Sequence, residues 1–252
     1  DLIDDTLINL DGTNNKSSLG GNSTTAVSMA TLKTAAKTEK LPLWNYLNKN
    51  KKNIFLPMPE IQIIGGGAHA KNSLDIQDFM IIPLSAETFD QALEITAEIY
   101  LTAGQLMSNK GKLVGVADEG GWWPDFQTNE EAIETLVKSI EIAGFRPGED
   151  IGISLDVAGS ELMENSTYNL YLENKSLSSE SLSELFGRWI ESYPIVSIED
   201  PFAEDDHDGM KMFTKAYGDR VQIIGDDYLV TNAQKITNSA SQGICNAALI
   251  KV

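Results

Sequence analysis

Residues 153–156 read Ile-Ser-Leu-Asp, and the same form returns as Val-Ser-Ile-Glu at 196–199, Ile-Ile-Gly-Asp at 223–226 and Ala-Leu-Ile-Lys at 248–251. Each is a short apolar run that ends in an ionisable group, the signature of a buried strand with a charge at its C-terminal tip. A charge is too costly to bury unpaired. Repeated at successive strand ends, the pattern predicts three carboxylates (Asp156, Glu199, Asp226) and one amine (Lys251) delivered to a shared mouth. Between the runs, helical periodicity fills about 178–192, 208–217 and 232–241. Strand–helix alternation of this kind predicts an α/β fold with a parallel sheet and helical crossovers. In a barrel of parallel strands, the C-terminal mouth is where chemistry sits.

Upstream, the segments 60–64 and 75–83 read as strands around a glycine-rich region. Residues 86–107 predict a long helix with Phe89, Leu93, Ala97 and Tyr100 on one stripe. Residues 130–143 predict a second, with Gly144 as its stop. Before them, residues 22–37 have helical spacing, and Leu-Pro-Leu-Trp at 41–44 breaks that helix and starts a short one. The basic run Lys49–Asn53 and the Leu-Pro-Met-Pro that follows at 56–59 mark either a domain boundary or a rigid loop.

The chain has 252 residues and a formal net charge of −18. That charge argues against nucleic acid and anionic membrane surfaces as partners. No apolar run is long enough to span a bilayer. The single cysteine, Cys245, excludes an internal disulfide framework and reads as a small buried hydrophobe. The start at Asp1 and the end just after Lys251 are expected to be cuts in a longer chain.

Asp156, Glu199 and Asp226 are hard oxygen donors on separate strand ends, a set that suits Mg²⁺. A single Asp at such a junction reads as a helix cap; three in register favour a metal. Asp200 and Asp227 adjoin two of them, as supporting partners or as caps. Lys251 has two readings: a base whose pKa nearby cations depress, or a lysine that reaches solvent or pairs with an acid. Glu119, in Asp-Glu-Gly-Gly at 118–121, is a candidate general acid, although the same string also reads as a polar turn. His69, in the loop Gly65–Ala70, is a candidate substrate or proton contact, or a structural histidine. His207 lies in an acidic stretch, 204–208, that reads as a solvated face.

These strings, in this order, resemble the enolase (phosphopyruvate hydratase) family. The matching strings are Leu-Asp-Gly-Thr at 10–13, Asn-Lys-Ser-Ser-Leu-Gly at 15–20, Leu-Pro-Leu-Trp at 41–44 and Gly-Gly-Ala-His-Ala at 66–70. They continue with Gln-Asp-Phe-Met-Ile at 77–81, Asp-Glu-Gly-Gly at 118–121, Ser-Leu-Asp-Val-Ala at 154–158 and Ser-Ile-Glu-Asp-Pro-Phe at 197–202. Gly-Asp-Asp at 225–227, Val-Thr-Asn at 230–232 and Leu-Ile-Lys at 249–251 complete them. The resemblance implies an incomplete (β/α)8, TIM-like barrel with a ββαα start. Residues 57–252 would carry the barrel through about its sixth strand. Residues 1–56 would be the helical end of a small N-terminal α+β domain.

The resemblance implies a Mg²⁺-dependent cytoplasmic lyase, a homodimer or larger when complete, that interconverts 2-phosphoglycerate and phosphoenolpyruvate in glycolysis and gluconeogenesis. It makes Asp156, Glu199 and Asp226 the metal ligands, Lys251 the base, Glu119 the acid, and His69 and Asp78 substrate contacts. The pairing of a lysine or histidine base with Mg²⁺ is a known property of enolase-superfamily sites. The chain departs from the family pattern at Asp78 (usually Glu), Gly65 (usually Asn), Trp122-Trp123 and His207 (usually Trp). The family's mobile Ser/Gly loop is expected before residue 1. Its last two strands, second lysine and phosphate-gripping His-Arg-Ser are expected beyond residue 252, so residues 1–252 alone are expected to be inactive. The departures at 65 and 78 also motivate a second reading, a non-catalytic enolase-like binding protein.

Overall fold

The computed structural model describes residues 2–48, 53–71 and 73–251. The chain divides into two compact units, Asp1–Leu56 and Pro57–Val252. The basic run at 49–52 lies outside the described residues.

In the first unit, α1 (Leu2–Asp11) precedes α2 (Gly21–Thr38) and α3 (Leu43–Leu47). The α1 helix was not foreseen from the sequence. The Leu-Asp-Gly-Thr string closes it: buried Asp11 accepts hydrogen bonds from the Thr13 hydroxyl, from Thr13 N at 3.0 Å and from Leu19 N at 2.7 Å. One carboxylate thus folds the loop 12–20 back on the helix that carries it.

The second unit is built on one sheet. Its strands are β1 (Ile61–Gly65) and β2 (Asp78–Ile82), then after α4 (Phe89–Asn109) the hairpin β3 (Leu113–Val116) and β4 (Trp122–Pro124). Next come α5 (Asn129–Ile142), β5 (Gly152–Asp156), the short α6 (Gly159–Leu162) and a side hairpin sheet β6 (Met163–Glu164), β7 (Thr167–Leu170), β8 (Lys175–Leu177). The alternation closes with α7 (Ser179–Ser192), β9 (Ile195–Glu199), α8 (His207–Tyr217), β10 (Gln222–Gly225), α9 (Ala233–Gln242) and β11 (Ala247–Ala248). The order in the main sheet is β11-β10-β9-β5-β2-β1-β4-β3. From β5 to β11 the strands are parallel, while β2 runs antiparallel to both β1 and β5. Two strands, then two helices bracketing a hairpin, open the unit, so the expected ββαα start is present. Among the described residues β11 and β3 are the sheet's two ends and the barrel is not closed.

Side-chain alternation sorts this sheet into two faces. Phe79, Leu155, Ile198 and Ile223 stand in register across β2, β5, β9 and β10 and are fully buried. They join Ile99 and Met107 of α4, Leu136 and Ile140 of α5, Phe186 and Trp189 of α7 and Phe213 of α8 in one core. Fully burying each such side chain stabilises the fold by about 1.5–3 kcal/mol. The other face is polar. Ser154 and Ser197 meet there, hydroxyl to hydroxyl, at 2.5 Å, and Ser197 also donates to Glu60 at 3.3 Å.

The helices start where side chains satisfy their first amides: Thr88, Thr128, Ser178, Asp206 and Asn232 cap α4, α5, α7, α8 and α9. Gly144 follows the end of α5 as expected, with φ +90°. The stripe expected on α4 is corrected. The helix buries Ala92, Ile95, Ile99, Ala103 and Met107, whereas Leu93 is 41% exposed. Both rows have helical spacing; the sheet takes the isoleucine row, and Tyr100 stays at its margin to stack on Trp122. The expected strand 247–252 is also shorter, although Leu249 N still reaches Gly225 O at 3.0 Å.

The stretch 204–208 is only partly a solvated face. Asp206 caps α8 and accepts from Tyr168 Oη at 2.7 Å and Ser179 Oγ at 2.6 Å, tying the side sheet and α7 to α8. His207 Nδ1 lies 2.5 Å from Tyr228 Oη.

Candidate active site

Register brings the acids together. Asp78 pairs with Asp156 across β2 and β5, and Asp156 pairs with Glu199 across β5 and β9. Cross-strand partners project to the same side, so three carboxylates form a row at one end of the sheet's polar face. Glu199 stands level with Ile224, and Asp226 follows two residues on, just beyond β10. Lys251 lies past β11 and its Nζ contacts Asp226 Oδ2 at 2.6 Å. Lys251 N donates to Thr231 Oγ1 at 3.0 Å.

The row is buried and short of positive charge. Asp156, 8% exposed, accepts Ala158 N at 2.9 Å and Gln77 Nε2 at 2.9 Å. Burial, then the Asp78 charge, still push its pKa up to about 8. Burial, followed by the charges of Asp156, Asp200 and Asp226, pushes Glu199 up to about 9. Asp200 is 4% exposed and caps the next turn, accepting Asp227 N at 2.6 Å and Asp226 N at 3.1 Å. Burial outweighs those bonds and raises it to about 6. Lys251 differs: its hydrogen bond to Asp226 raises its pKa above the ordinary lysine value. Lys251 thus stands in the ion-paired arrangement that its sequence context also allowed.

A second cluster adjoins the row. His69 sits in a 3-10 turn, Gly67–Ala70, with Nε2 3.7 Å from Glu119 Oε1 and Nδ1 4.0 Å from Asp118 Oδ2. Asp78 is 5% exposed, and burial, together with nearby Glu119, raises it to about 6. The groups singled out from the sequence thus influence one another in a chain, from Lys251 through Asp226, Glu199, Asp156 and Asp78 to Glu119 and His69.

The loop that carries Glu119 is held from several elements. Asp118 N donates to His69 O at 3.2 Å, Tyr100 Oη to Gly120 O at 2.8 Å and Gly121 N to Gln62 Oε1 at 2.6 Å. Gln62 and Gln77 are site residues that sequence reasoning missed. The available signal was a polar amide inside an apolar strand, Ile-Gln-Ile-Ile at 61–64, and one next to an acid at 77–78.

Could this set hold a cation? Among the described residues no three His, Cys, Asp or Glu side chains form a ready-made metal cage. The donor chemistry nonetheless fits Mg²⁺: hard carboxylate oxygens on separate strands, with burial and then the neighbouring carboxylates raising Asp156 and Glu199.

Comparison with known proteins bears on the whole chain. Residues 53–252 match the family described as "Enolase, C-terminal TIM barrel domain", and residues 1–47 match "Enolase, N-terminal domain". The chain is 46% identical over 253 residues to "Enolase 1" of Desulfitobacterium hafniense, covering 99% of this chain and 58% of that relative. It is 44% identical over 249 residues to "Enolase" of a Nitratiruptor species, covering 99% of this chain and 59% of the relative. The chain therefore spans somewhat over half the length of these curated relatives. No helix among the described residues is long and apolar enough to cross a membrane.

Proposed function

This chain belongs to the enolase family, and on that premise we propose that the full-length protein is a phosphopyruvate hydratase, a Mg²⁺-dependent lyase that reversibly dehydrates 2-phosphoglycerate to phosphoenolpyruvate in glycolysis and gluconeogenesis. The observation that carries this reading is the acid row Asp78–Asp156–Glu199 in register at the strand ends, with Asp226 and Lys251 paired beside it. We assign residues 1–56 to the family's N-terminal domain and 57–252 to its barrel. A cytoplasmic protein that assembles as a homodimer or larger belongs to the same reading.

The reaction removes a weakly acidic proton beside a carboxylate and then expels hydroxide. Asp156, Glu199 and Asp226 would hold Mg²⁺, which when bound supplies positive charge against the negative charge that builds on the substrate carboxylate. Lys251 would accept the α-proton. For that its Nζ must first lose a proton, and its present partner Asp226 works against the loss. Recruiting the Asp226 carboxylate to other positive charge removes that opposition. Glu119 would donate a proton to the departing hydroxyl; half-exposed and 3.7 Å from His69, it can be recharged from solvent or from the imidazole. Asp78 and His69 would orient the substrate from the same side as Glu119. These roles act on charge that appears in the transition state, so their loss falls on kcat.

The test is Mg²⁺-dependent appearance of enol absorbance from 2-phosphoglycerate with the full-length protein. Robust turnover that Lys251→Ala abolishes is the expected result. Substrate or partner binding without turnover would replace this reading by the non-catalytic one.

A further inference from the structure

Gln62 lies on β1, on the polar face of the sheet. Its amide makes two bonds of opposite sense. Oε1 accepts Gly121 N at 2.6 Å, and Nε2 donates to Asp78 Oδ1. The backbone N–H of Gly121 can only donate, so it fixes which end of the amide faces the loop and leaves the NH₂ for the carboxylate. The amide is therefore oriented by its partners and joins an acid of the row to the loop that carries Glu119.

The surroundings are shaped around this side chain. A Cβ on Gly121 would lie 2.5 Å from Gln62 Oε1. A Cβ on Gly65 would lie 2.5 Å from Ala117 Cβ and 3.2 Å from Gln62 Nε2. Ala117 begins the same loop, bonding to Gly121 O at 2.8 Å and accepting Gly120 N at 3.0 Å. Two departures from the family pattern, Gly65 and Asp78, thus meet at one glutamine. The first leaves space for its amide; the second is the shorter acid that the amide reaches.

We propose that Gln62 is a positioning residue, clamping Asp78 to the Gly120–Gly121 end of the loop and so setting where Asp78 and Glu119 stand relative to each other. Its kinetic consequence rests on the enolase reading above; its structural consequence does not.

Two variants of the full-length protein test this. Gln62→Met keeps the length of the side chain and removes both bonds. Amide exchange at Gly121 is expected to speed up by about tenfold or more. In the same variant kcat is expected to fall by about tenfold or more, with KM for 2-phosphoglycerate moving by less than about threefold. Gln62→Glu keeps the acceptor for Gly121 N–H but sets a carboxylate against Asp78. Slow exchange at Gly121 is expected to survive, while kcat falls as far as in the first variant. Wild-type exchange at Gly121 in Gln62→Met overturns the proposal, and so does wild-type kcat in Gln62→Glu. If Gln62→Met does not fold, Gln62→Glu decides by the same two readouts. If the unmutated protein forms no phosphoenolpyruvate, the enolase reading fails and exchange at Gly121 alone decides the role of Gln62.

Discussion

The acid site has a buried half, in the strand-end row, and an open half beside it, and the two solve the same electrostatic problem differently. At the buried half, Asp156 and Glu199 have amide and backbone donors but no cation, and their pKa values rise. At the open half, Asp226 has Lys251, 67% exposed at its side chain, at 2.6 Å. Burial pushes the first half toward its neutral form, and the second is paired with an amine. A divalent cation shared by the three acids would replace both devices at once, releasing protons from the first half and the lysine from the second. The contrast teaches that burial and ion pairing are two ways of balancing carboxylates that share one end of a sheet.

Removing the amine should give the largest effect. In the full-length protein Lys251→Ala is expected to lower kcat by about a thousandfold, within the range for loss of a general base, with the Mg²⁺ requirement unchanged; steady-state kinetics read this. A drop below tenfold would mean that the open half is only structural. Next, Asp156→Asn or Glu199→Gln should weaken Mg²⁺ affinity by at least about a hundredfold, the upper end of the loss seen for residues that merely support a metal ligand. Calorimetric titration measures it, and unchanged affinity would place the cation elsewhere.

The buried half also makes stability depend on pH in a definite direction. Folding raises Asp156 and Glu199 from 3.8 and 4.5 to about 8 and about 9. The folded state therefore keeps protons that the unfolded chain has lost. Their contribution is fully present below the unfolded values and fades as pH rises through the folded ones. Urea midpoints of the Mg²⁺-free full-length protein are expected to fall between about pH 5 and pH 9, with Glu199→Gln flattening the slope. A midpoint that climbs across that window contradicts the account. The smallest effect belongs to the loop brace: Tyr100→Phe removes one hydrogen bond to Gly120 O and should cost about 1 kcal/mol in urea unfolding.

Much of this arrangement is written locally. Ile-Ser-Leu-Asp and Val-Ser-Ile-Glu state both the strand and the residue at its tip, because a period-2 run cannot place Leu155 in the core without placing Asp156 on the other face. The helices between them declare themselves through caps such as Ser178 and Asn232. What was not legible depends on partners far away in the chain. The side sheet β6–β8 has strands too short to show a period, and the partners that meet Tyr168, among them Phe202 and Asp206, lie far along the chain. The β3–β4 hairpin hides in glycine-rich sequence. The sense of Gln62's amide needs Gly121, fifty-nine residues on. The pairing of Lys251 with Asp226 depends on how two loops leave the sheet, which no single strand encodes.

The central claim is that the buried acids give up protons to take a cation. Titrate Mg²⁺ into the full-length protein near pH 7 in buffers of different ionisation enthalpy and count the protons released. The account predicts release of about one to two protons per Mg²⁺ bound, reduced in Glu199→Gln. Tight binding with no proton release, or release that Glu199→Gln leaves untouched, would contradict it.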